Sequence, residues 1–329
     1  VNPPPRYLVV LPFFVMTTDS DDFELELQAL TEIVGEPVIA FERAAWGFEN
    51  HTAIVTLAEG RRLVVQRIAS RSLAPYKLRL AGLLPDRLAA AGIRIPRLLT
   101  AAATANPPYA VREYIPGVAA ATFMRQIEGA VMVAAEMGVL LRQLRNVSID
   151  GAGLHGGWAN PVRLEQQARR QLDRCRALFD TATIRALAAT VDEVPARFAG
   201  RGGCFAHGDF CPVNALLEPT GGRGPNADDA HRAYRVVALL DVEFARLADP
   251  LFDAAWWGWV VRYHHPERWV AAWPVLLEAA GIAADEATLE RIFTLQKLRC
   301  LEIVDYTAAY GPEAQAIWVQ RHKETLGWS

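Results

Sequence analysis

The hydrophobic pattern of the first hundred residues predicts a helix followed by a small antiparallel sheet. Apolar residues at helical spacing over residues 23–34 follow a polar stretch that offers N-cap residues, so a short helix should begin there. Three β-rich runs come next, at residues 38–41, 52–57 and 62–68, and turn-forming residues 58–61 join the last two. This order predicts an antiparallel meander.

The chain then predicts another helix and two more strands. Residues 72–91 have a helical pattern that Gly82 and Pro85 are expected to interrupt, and residues 98–99 and 109–114 read as strands. A Pro-Gly turn at residues 116–117 closes this part of the chain. The predicted segments are an N-terminal extension, a small lobe and a large lobe, at residues 1–22, 23–116 and 117–329.

The large lobe is predicted to be mainly helical. A β-rich stretch at residues 204–240 interrupts it, with strands at 214–217 and 234–240 on either side of a Gly-rich polar loop at 221–233. The helical pattern covers residues 121–146, 160–178, 182–199, 251–263, 266–280 and 285–309. The fold class is therefore α+β, with an antiparallel sheet in the small lobe and helices in the large one.

Composition narrows the class of partner. A length of 329 residues exceeds what one hydrophobic core usually fills, which agrees with two lobes. The formal charge is −3 without any Lys/Arg block, so we expect no nucleic-acid partner, and the apolar run at residues 8–16 is too short to span a bilayer. The four cysteines are scattered without metal-ligand spacing, which favours reduced thiols and a cytoplasmic location. The oligomeric state is left open.

The segment at residues 207–214 carries the main chemical signal. It places Asn214 five residues after Asp209, and Asp241 follows at the end of an apolar strand beyond a hairpin. In-line phosphoryl transfer needs a carboxylate to orient the acceptor hydroxyl and take its proton, and hard oxygen ligands to hold Mg²⁺ on the phosphates. Asp209 suits the first role, and Asn214 with Asp241 suits the second. His207 is expected to be structural, and the chain contains no P-loop.

Residues 207–214 and 241–253 together resemble the aminoglycoside phosphotransferase family. The family pattern is H-G-D-x-x-x-x-N, then I-D-W-E/D, then G-D-P-x-x-D, and Val242 and Ala248 replace its Trp and first Gly here. Three small-lobe segments, at residues 45–50, 62–66 and 92–98, also resemble family motifs. The resemblance implies a protein-kinase-like two-lobe fold, ATP or GTP as co-substrate, Mg²⁺, and a small-molecule acceptor.

The resemblance also implies roles for individual residues. Asp209 would be the catalytic residue, and Asn214 and Asp241 would hold the metal. Asp249 and Asp253 would be structural, at the start of a buried helix. Nucleotide contacts would come from the phosphate-covering loop and the hinge between the lobes, at Gly47, Asn50, Glu113 and Ile115.

The third strand departs from the family pattern. Gln66, flanked by Arg67, stands where a phosphate-contacting Lys is expected, and Ala81 falls near the position of its Glu partner. Gln66 can still donate hydrogen bonds to phosphate, while Arg67, Lys77 or Arg79 could supply charge. Only one of Gln66 and Arg67 can face the cleft, because neighbouring strand residues point to opposite faces.

The acceptor is expected against the late helices of the large lobe. Glu302 and Asp305 lie three residues apart on a predicted helix, beside Tyr306, and would suit a cationic acceptor such as an aminoglycoside or another amino-bearing compound. A solvated helix face is the alternative interpretation of this pair. Two other functions stay open: a kinase for a neutral sugar or amino alcohol, and a nucleotide-binding pseudokinase.

Overall fold

The computed structural model describes residues 20–44, 51–148, 151–220 and 234–328. The strands are β1 Val38–Arg43, β2 His51–Leu57, β3 Arg62–Arg67, β4 Leu98–Ala102, β5 Tyr109–Glu113, β6 Val118–Ala119, β7 Cys204–Ala206, β8 Ala215–Pro219, β9 Tyr234–Leu239 and β10 Arg246–Ala248. The helices are α1 Ser20–Val34, α2 Ala74–Ala90, α3 Ile127–Leu144, α4 Pro161–Cys175, α5 Thr181–Asp192, α6 Val194–Arg197, α7 Phe252–His264, α8 Pro266–Ala279, α9 Glu286–Thr307 and α10 Pro312–Leu326. None of the helices in the described ranges is long and apolar enough to cross a membrane.

The small lobe is a five-stranded antiparallel sheet in the order β1-β2-β3-β5-β4. Helix α1 covers one face, where Leu30, Val55 and Val65 are buried in a common cluster. Side chains alternate along a strand, so the neighbours of these residues in β3 and β5 point to the opposite face. Gln66 and Arg112 lie on that second face and line the cleft below the sheet.

Helix α2 is continuous from Ala74 to Ala90, so the predicted interruption at Gly82 and Pro85 is wrong. Leu80, Leu84 and Leu88 form a fully buried stripe along the helix. Burial of three such side chains contributes about 1.5–3 kcal/mol each, which outweighs the roughly 3 kcal/mol that a proline costs inside a helix. Tertiary packing therefore overrides the local signal.

The large lobe is built from helices that surround α7. Helix α3 lies along α8, and the two backbones approach so closely that a Cβ at Gly138 would come within 2.7 Å of the Cβ of Ala279. Helix α7 buries most of its residues, including Trp257 and Trp259. The predicted two-lobe α+β architecture is confirmed.

Short elements account for most of the remaining differences. The stretch predicted as one helix at 182–199 is divided into α5 and α6, because Pro195 lacks the N–H that would continue the first helix. Strands β6, β7 and β10 are too short to produce a sequence pattern. They matter for position, because β7 pairs with β10 and leads directly into the loop that carries Asp209.

Candidate active site

The loop after β7 has a backbone that only glycine allows at its second position. Gly208 has φ +85°, and a Cβ there would collide with the backbone carbonyl of Phe244. The carboxylate of Asp253, at the start of α7, accepts the backbone N–H of His207 at 2.7 Å and that of Gly208 at 3.0 Å. The loop is thus fixed from below by the helix on which it rests.

His207 and Asp249 also hold the backbone and the helices around this loop. His207 is fully buried: its Nδ1 accepts the amide of Asp209 at 3.2 Å, so its Nε2 donates to the carbonyl of Leu240 at 2.8 Å. Asp249 accepts the amide of Leu251 at 2.9 Å and pairs with Arg291 at 2.5 Å. These contacts agree with the structural roles expected for His207, Asp249 and Asp253.

Each carboxylate oxygen of Asp209 accepts a hydrogen bond from a side-chain N–H, and the thiol of Cys211 also donates to Oδ1 at 4.0 Å. The indole N–H of Trp256 donates to Oδ1 at 2.7 Å, and the side-chain amide of Asn214 donates to Oδ2 at 2.8 Å. The Asn214 amide also donates to the backbone carbonyl of Asp209 at 2.9 Å. The carboxylate is therefore oriented by groups on two different elements and still faces the cleft.

Asp241 follows β9 in a left-handed conformation with φ +58°, which turns its side chain into the cleft. Its Oδ1 is buried and makes no hydrogen bond within the described part of the chain. Burial, together with the nearby carboxylates of Glu243 and Asp209, raises the pKa of Asp241 to about 8, although Arg112 and Lys77 oppose the shift. A buried carboxylate oxygen without a donor is the arrangement that a bound cation would complete.

The residues present fit Mg²⁺ rather than a softer metal. Asn214 uses its amide nitrogen for Asp209, so the group that it can offer a cation is its oxygen. Among the described residues, no group of three His, Cys, Asp or Glu side chains could hold a metal by itself. A carboxylate oxygen and an amide oxygen suit an ion whose remaining ligands come from phosphates and water.

Two cations lie beside Asp241. Lys77 of α2, only 3% exposed, binds the carboxylate of Glu243 at 2.7 Å, and Arg112 of β5 lies 4.0 Å from the other oxygen of Glu243. Burial lowers the pKa of Arg112, while Glu243 and Asp241 oppose that shift. The three side chains come from three separate segments and meet at the cleft.

Strand β3 presents Gln66, not Arg67, to the cleft. Gln66 lines the cavity and its buried Oε1 has no hydrogen-bond partner among the described residues. Arg67 lies on the face covered by α1, where its guanidinium binds Glu26 at 2.8 Å. Because side chains alternate along the strand, Gln66 faces the cleft and Arg67 faces α1, so only one of the two can contact the nucleotide, as the sequence predicts.

The other predicted nucleotide contacts lie at the edge of the same cleft or outside the described ranges. Glu113 and Ile115 both line the cavity; Ile115 is buried, and Glu113 pairs with Arg94. Gly47 and Asn50 lie outside the described residues. The cleft between the lobes has a volume of about 2630 Å³, which is large enough for a nucleotide and a second small molecule.

Glu302 lines the cleft, but its carboxylate is already bound by cations. Arg246 donates to both of its oxygens at 3.0 Å, and Arg299 donates as well. The indole of Trp158 and the amide of Gln167 each add a hydrogen bond at 3.2 Å. Burial opposes ionisation of Glu302, but the two guanidinium groups prevail and lower its pKa to about 2.

The structure does not bring Glu302 and Asp305 together in the cleft. Asp305 binds Arg174 of α4 through two hydrogen bonds, at 2.6 and 2.7 Å, and is not part of the cavity wall. Tyr306 does line the cavity, and its hydroxyl is 2.9 Å from that of Tyr310. The carboxylate pair that the helical spacing predicted is divided between two different arginine partners.

A family model of known sequences decides the relationship. The model for the phosphotransferase enzyme family matches residues 40–291, which include the whole constellation around Asp209. The chain belongs to this family. It is accordingly a phosphotransferase, with the kinase-like fold that the family shares.

Solved phosphotransferases share the fold across nearly their whole length. The macrolide 2'-phosphotransferase MphH from Brachybacterium faecium is 17% identical, with a TM-score of 0.63, over 93% of this chain and 99% of that one. A GDP and kanamycin complex of APH(2″)-IIIa is 12% identical, with a TM-score of 0.68, over 92% and 98%. APH(3″)-Id from Streptomyces rimosus, in complex with ADP and streptomycin, is 19% identical, with a TM-score of 0.55, over 84% and 98%. No curated protein matches the sequence significantly.

Sequence reasoning missed three residues of this candidate site. Trp256 lies beside Trp257 and Trp259 in the sequence, and nothing in its spacing distinguishes it from tryptophans that only pack the helix. Arg112 and Glu243 were not considered as partners of Lys77, since the three are far apart in the chain. A search for buried charges in strands that flank the cleft would have found Arg112.

Proposed function

We propose that this phosphotransferase moves the γ-phosphoryl group of ATP or GTP onto a hydroxyl of a small molecule, with Mg²⁺ as the metal. The observation that carries the proposal is the carboxylate of Asp209, held on both oxygens by Trp256 and Asn214 and directed into a cleft that also contains Asp241. Relatives of the same fold are described with GDP and with ADP, which supports a nucleotide co-substrate.

The chemistry assigned to the chain's residues is simple. Asp209 orients the acceptor hydroxyl and takes its proton while the new O–P bond forms and the bond from the γ-phosphorus to the diphosphate oxygen breaks. Asn214 and Asp241 would hold Mg²⁺, which neutralises phosphate charge when bound. Gln66, Glu113 and Ile115 would line the nucleotide subsite, as would Gly47 and Asn50 by the resemblance.

Two acceptor classes compete. Two of the solved phosphotransferases of this fold are complexes with the aminoglycosides kanamycin and streptomycin. These complexes support an aminoglycoside or another amino-bearing acceptor. The arginines that line the cleft favour a different acceptor class, a neutral sugar or a similar uncharged alcohol. Glu302 is neutralised by two arginines, and no described carboxylate pairs with the cleft arginines Arg163, Arg170 or Arg262. A polycation would meet like charge there.

A turnover screen tests the proposal. Purified protein is incubated with ATP or GTP, Mg²⁺ and one candidate acceptor at a time: aminoglycosides, macrolides, neutral sugars and amino alcohols. Release of ADP or GDP and formation of the phosphorylated acceptor are measured. Asp209→Ala should reduce transfer by about 10²-fold or more while nucleotide affinity stays within a few-fold. Asp241→Asn should weaken both turnover and metal-nucleotide binding. Transfer at the wild-type rate in Asp209→Ala would refute the assignment.

A further inference from the structure

On the nucleotide side of the cleft, the positive charges come from Lys77 and Arg112, and strand β3 provides none. A triphosphate needs cationic partners, yet the cleft-facing residue of β3 is the neutral Gln66. The buried cations on this side are Lys77 and Arg112, which approach the same carboxylate, Glu243, from a helix and from a strand. Both line the cavity that also contains Asp241.

The register of the sheet fixes the position of Arg112 relative to Gln66. Arg112 is paired with Val64, and Gln66 with Ala110, so Arg112 lies diagonally across the β3–β5 pair from Gln66 and on the same face. The guanidinium of Arg112 lies 4.0 Å from the carboxylate of Glu243. The Arg112 side chain is 11% exposed, so it is enclosed by the cleft and not free in solvent.

Lys77 supplies a cation from the helix that packs beneath the sheet. Its ammonium is 2.7 Å from Glu243 Oε2 and only 3% exposed, and Glu243 itself is 2% exposed. A buried pair of this kind is a weak source of stability, because removing two charges from water offsets much of their attraction. Lys77 and Glu243 both line the cleft, so the charge that the pair presents to a ligand accounts for its position there.

We infer that Lys77 and Arg112, positioned by Glu243, form the cationic wall that binds the nucleotide phosphates. This inference rests on the proposed phosphotransferase function. In the family pattern, a Lys on the third strand contacts the phosphates and a Glu on the following helix positions it. Here helix α2 provides the cation, Lys77, and the carboxylate that positions it, Glu243, lies two residues after the proposed metal ligand Asp241. Gln66 is left to contribute a neutral hydrogen bond.

Nucleotide binding to the full chain tests the inference without any acceptor. Calorimetry measures the affinity of wild type, Lys77→Met, Lys77→Arg and Arg112→Met for the triphosphate, the diphosphate and the nucleoside, in both the adenine and the guanine series. Lys77→Met and Arg112→Met should each weaken triphosphate binding by about tenfold or more, and diphosphate binding less, because a charge-assisted contact is lost. Nucleoside affinity should stay within about twofold, since it has no phosphate. Lys77→Arg should retain most of the affinity.

The phosphate series separates a binding role from a structural one. A fold-wide defect would lower the affinity for nucleoside and triphosphate alike, and that result would overturn the inference. Unchanged triphosphate affinity in both methionine variants would overturn it as well. Arg87→Met, at a half-buried position in the last turn of the same helix and outside the cavity wall, serves as the matched control and should behave as wild type. Failure of the wild-type protein to bind either nucleotide series would instead refute the proposed function.

Discussion

Replacement of Trp256 by Phe tests how the active carboxylate is held. The indole N–H donates to Asp209 Oδ1 at 2.7 Å, and a hydrogen bond to an ionised group contributes about 1.5–3 kcal/mol. Loss of this donor leaves Asn214 as the side chain that orients the carboxylate. At 1.4 kcal/mol per factor of ten, we expect kcat to fall about 10- to 100-fold, with little change in the KM for nucleotide.

The aromatic stack around Trp256 provides a matched control. Trp256 stacks on Trp259 with ring centroids 4.9 Å apart and an interplanar angle of 2°. Trp259 belongs to the same aromatic stack, but its indole N–H donates to Thr325 Oγ1 at 2.8 Å, away from the cleft. Trp259→Phe therefore removes a similar ring volume and a hydrogen bond of similar length without touching Asp209.

The assay is steady-state transfer to the first acceptor that the turnover screen provides, with thermal unfolding recorded for both variants. Both should lose some stability, and only Trp256→Phe should lose kcat by the expected factor. Equal losses of kcat in the two variants would show that the effect comes from packing. Full kcat in Trp256→Phe would show that the indole N–H does not matter for the base.

Two further predictions concern nucleotide contact and acid stability. Gln66→Ala should raise the KM for nucleotide about two- to tenfold, as expected for one neutral hydrogen bond, whereas Arg67→Ala should leave it unchanged because Arg67 binds Glu26 on the opposite face. The reverse pattern in competition binding would refute the strand register. The pKa of Glu302 is lowered to about 2, so its ionisation stabilises the fold above pH ~4.5 and this contribution, on the order of 3 kcal/mol, is lost as the pH falls toward 2. Denaturant unfolding at pH 7 and pH 3 should show a smaller acid-induced loss in Glu302→Gln than in wild type, and equal losses would contradict the assignment.

The parts of the site that a sequence can predict are those that are local in the chain. Asp209 and Asn214 lie in one loop, and Asp241 ends the next apolar strand, so spacing alone places them in order. The cluster of Lys77, Arg112 and Glu243 depends on a helix, a strand and a turn meeting in space, which no local pattern encodes.

The acceptor prediction was limited by a different physical effect. Residues three apart on a helix differ by about 60° in direction, so they can face two different neighbours although they share one broad face. On α9, Glu302 turns toward Arg246 and Arg299 while Asp305 turns toward Arg174 of α4. Helical spacing therefore identifies which residues can be neighbours but not which partners the rest of the fold places opposite them.

Helix α7 provides two contacts that orient Asp209, the proposed base. Asp253 in its first turn binds the amides of His207 and Gly208, and Trp256, three residues later on the same face, binds the carboxylate of Asp209. One element, most of whose residues are buried, thus contacts both the backbone of the loop and the carboxylate of Asp209, which Asn214 binds from the other side. A change that shifts α7, even in the core far from the cleft, should therefore move the proposed base Asp209 relative to the acceptor. It should lower kcat more than it lowers nucleotide affinity, which in our proposal depends on the sheet and α2.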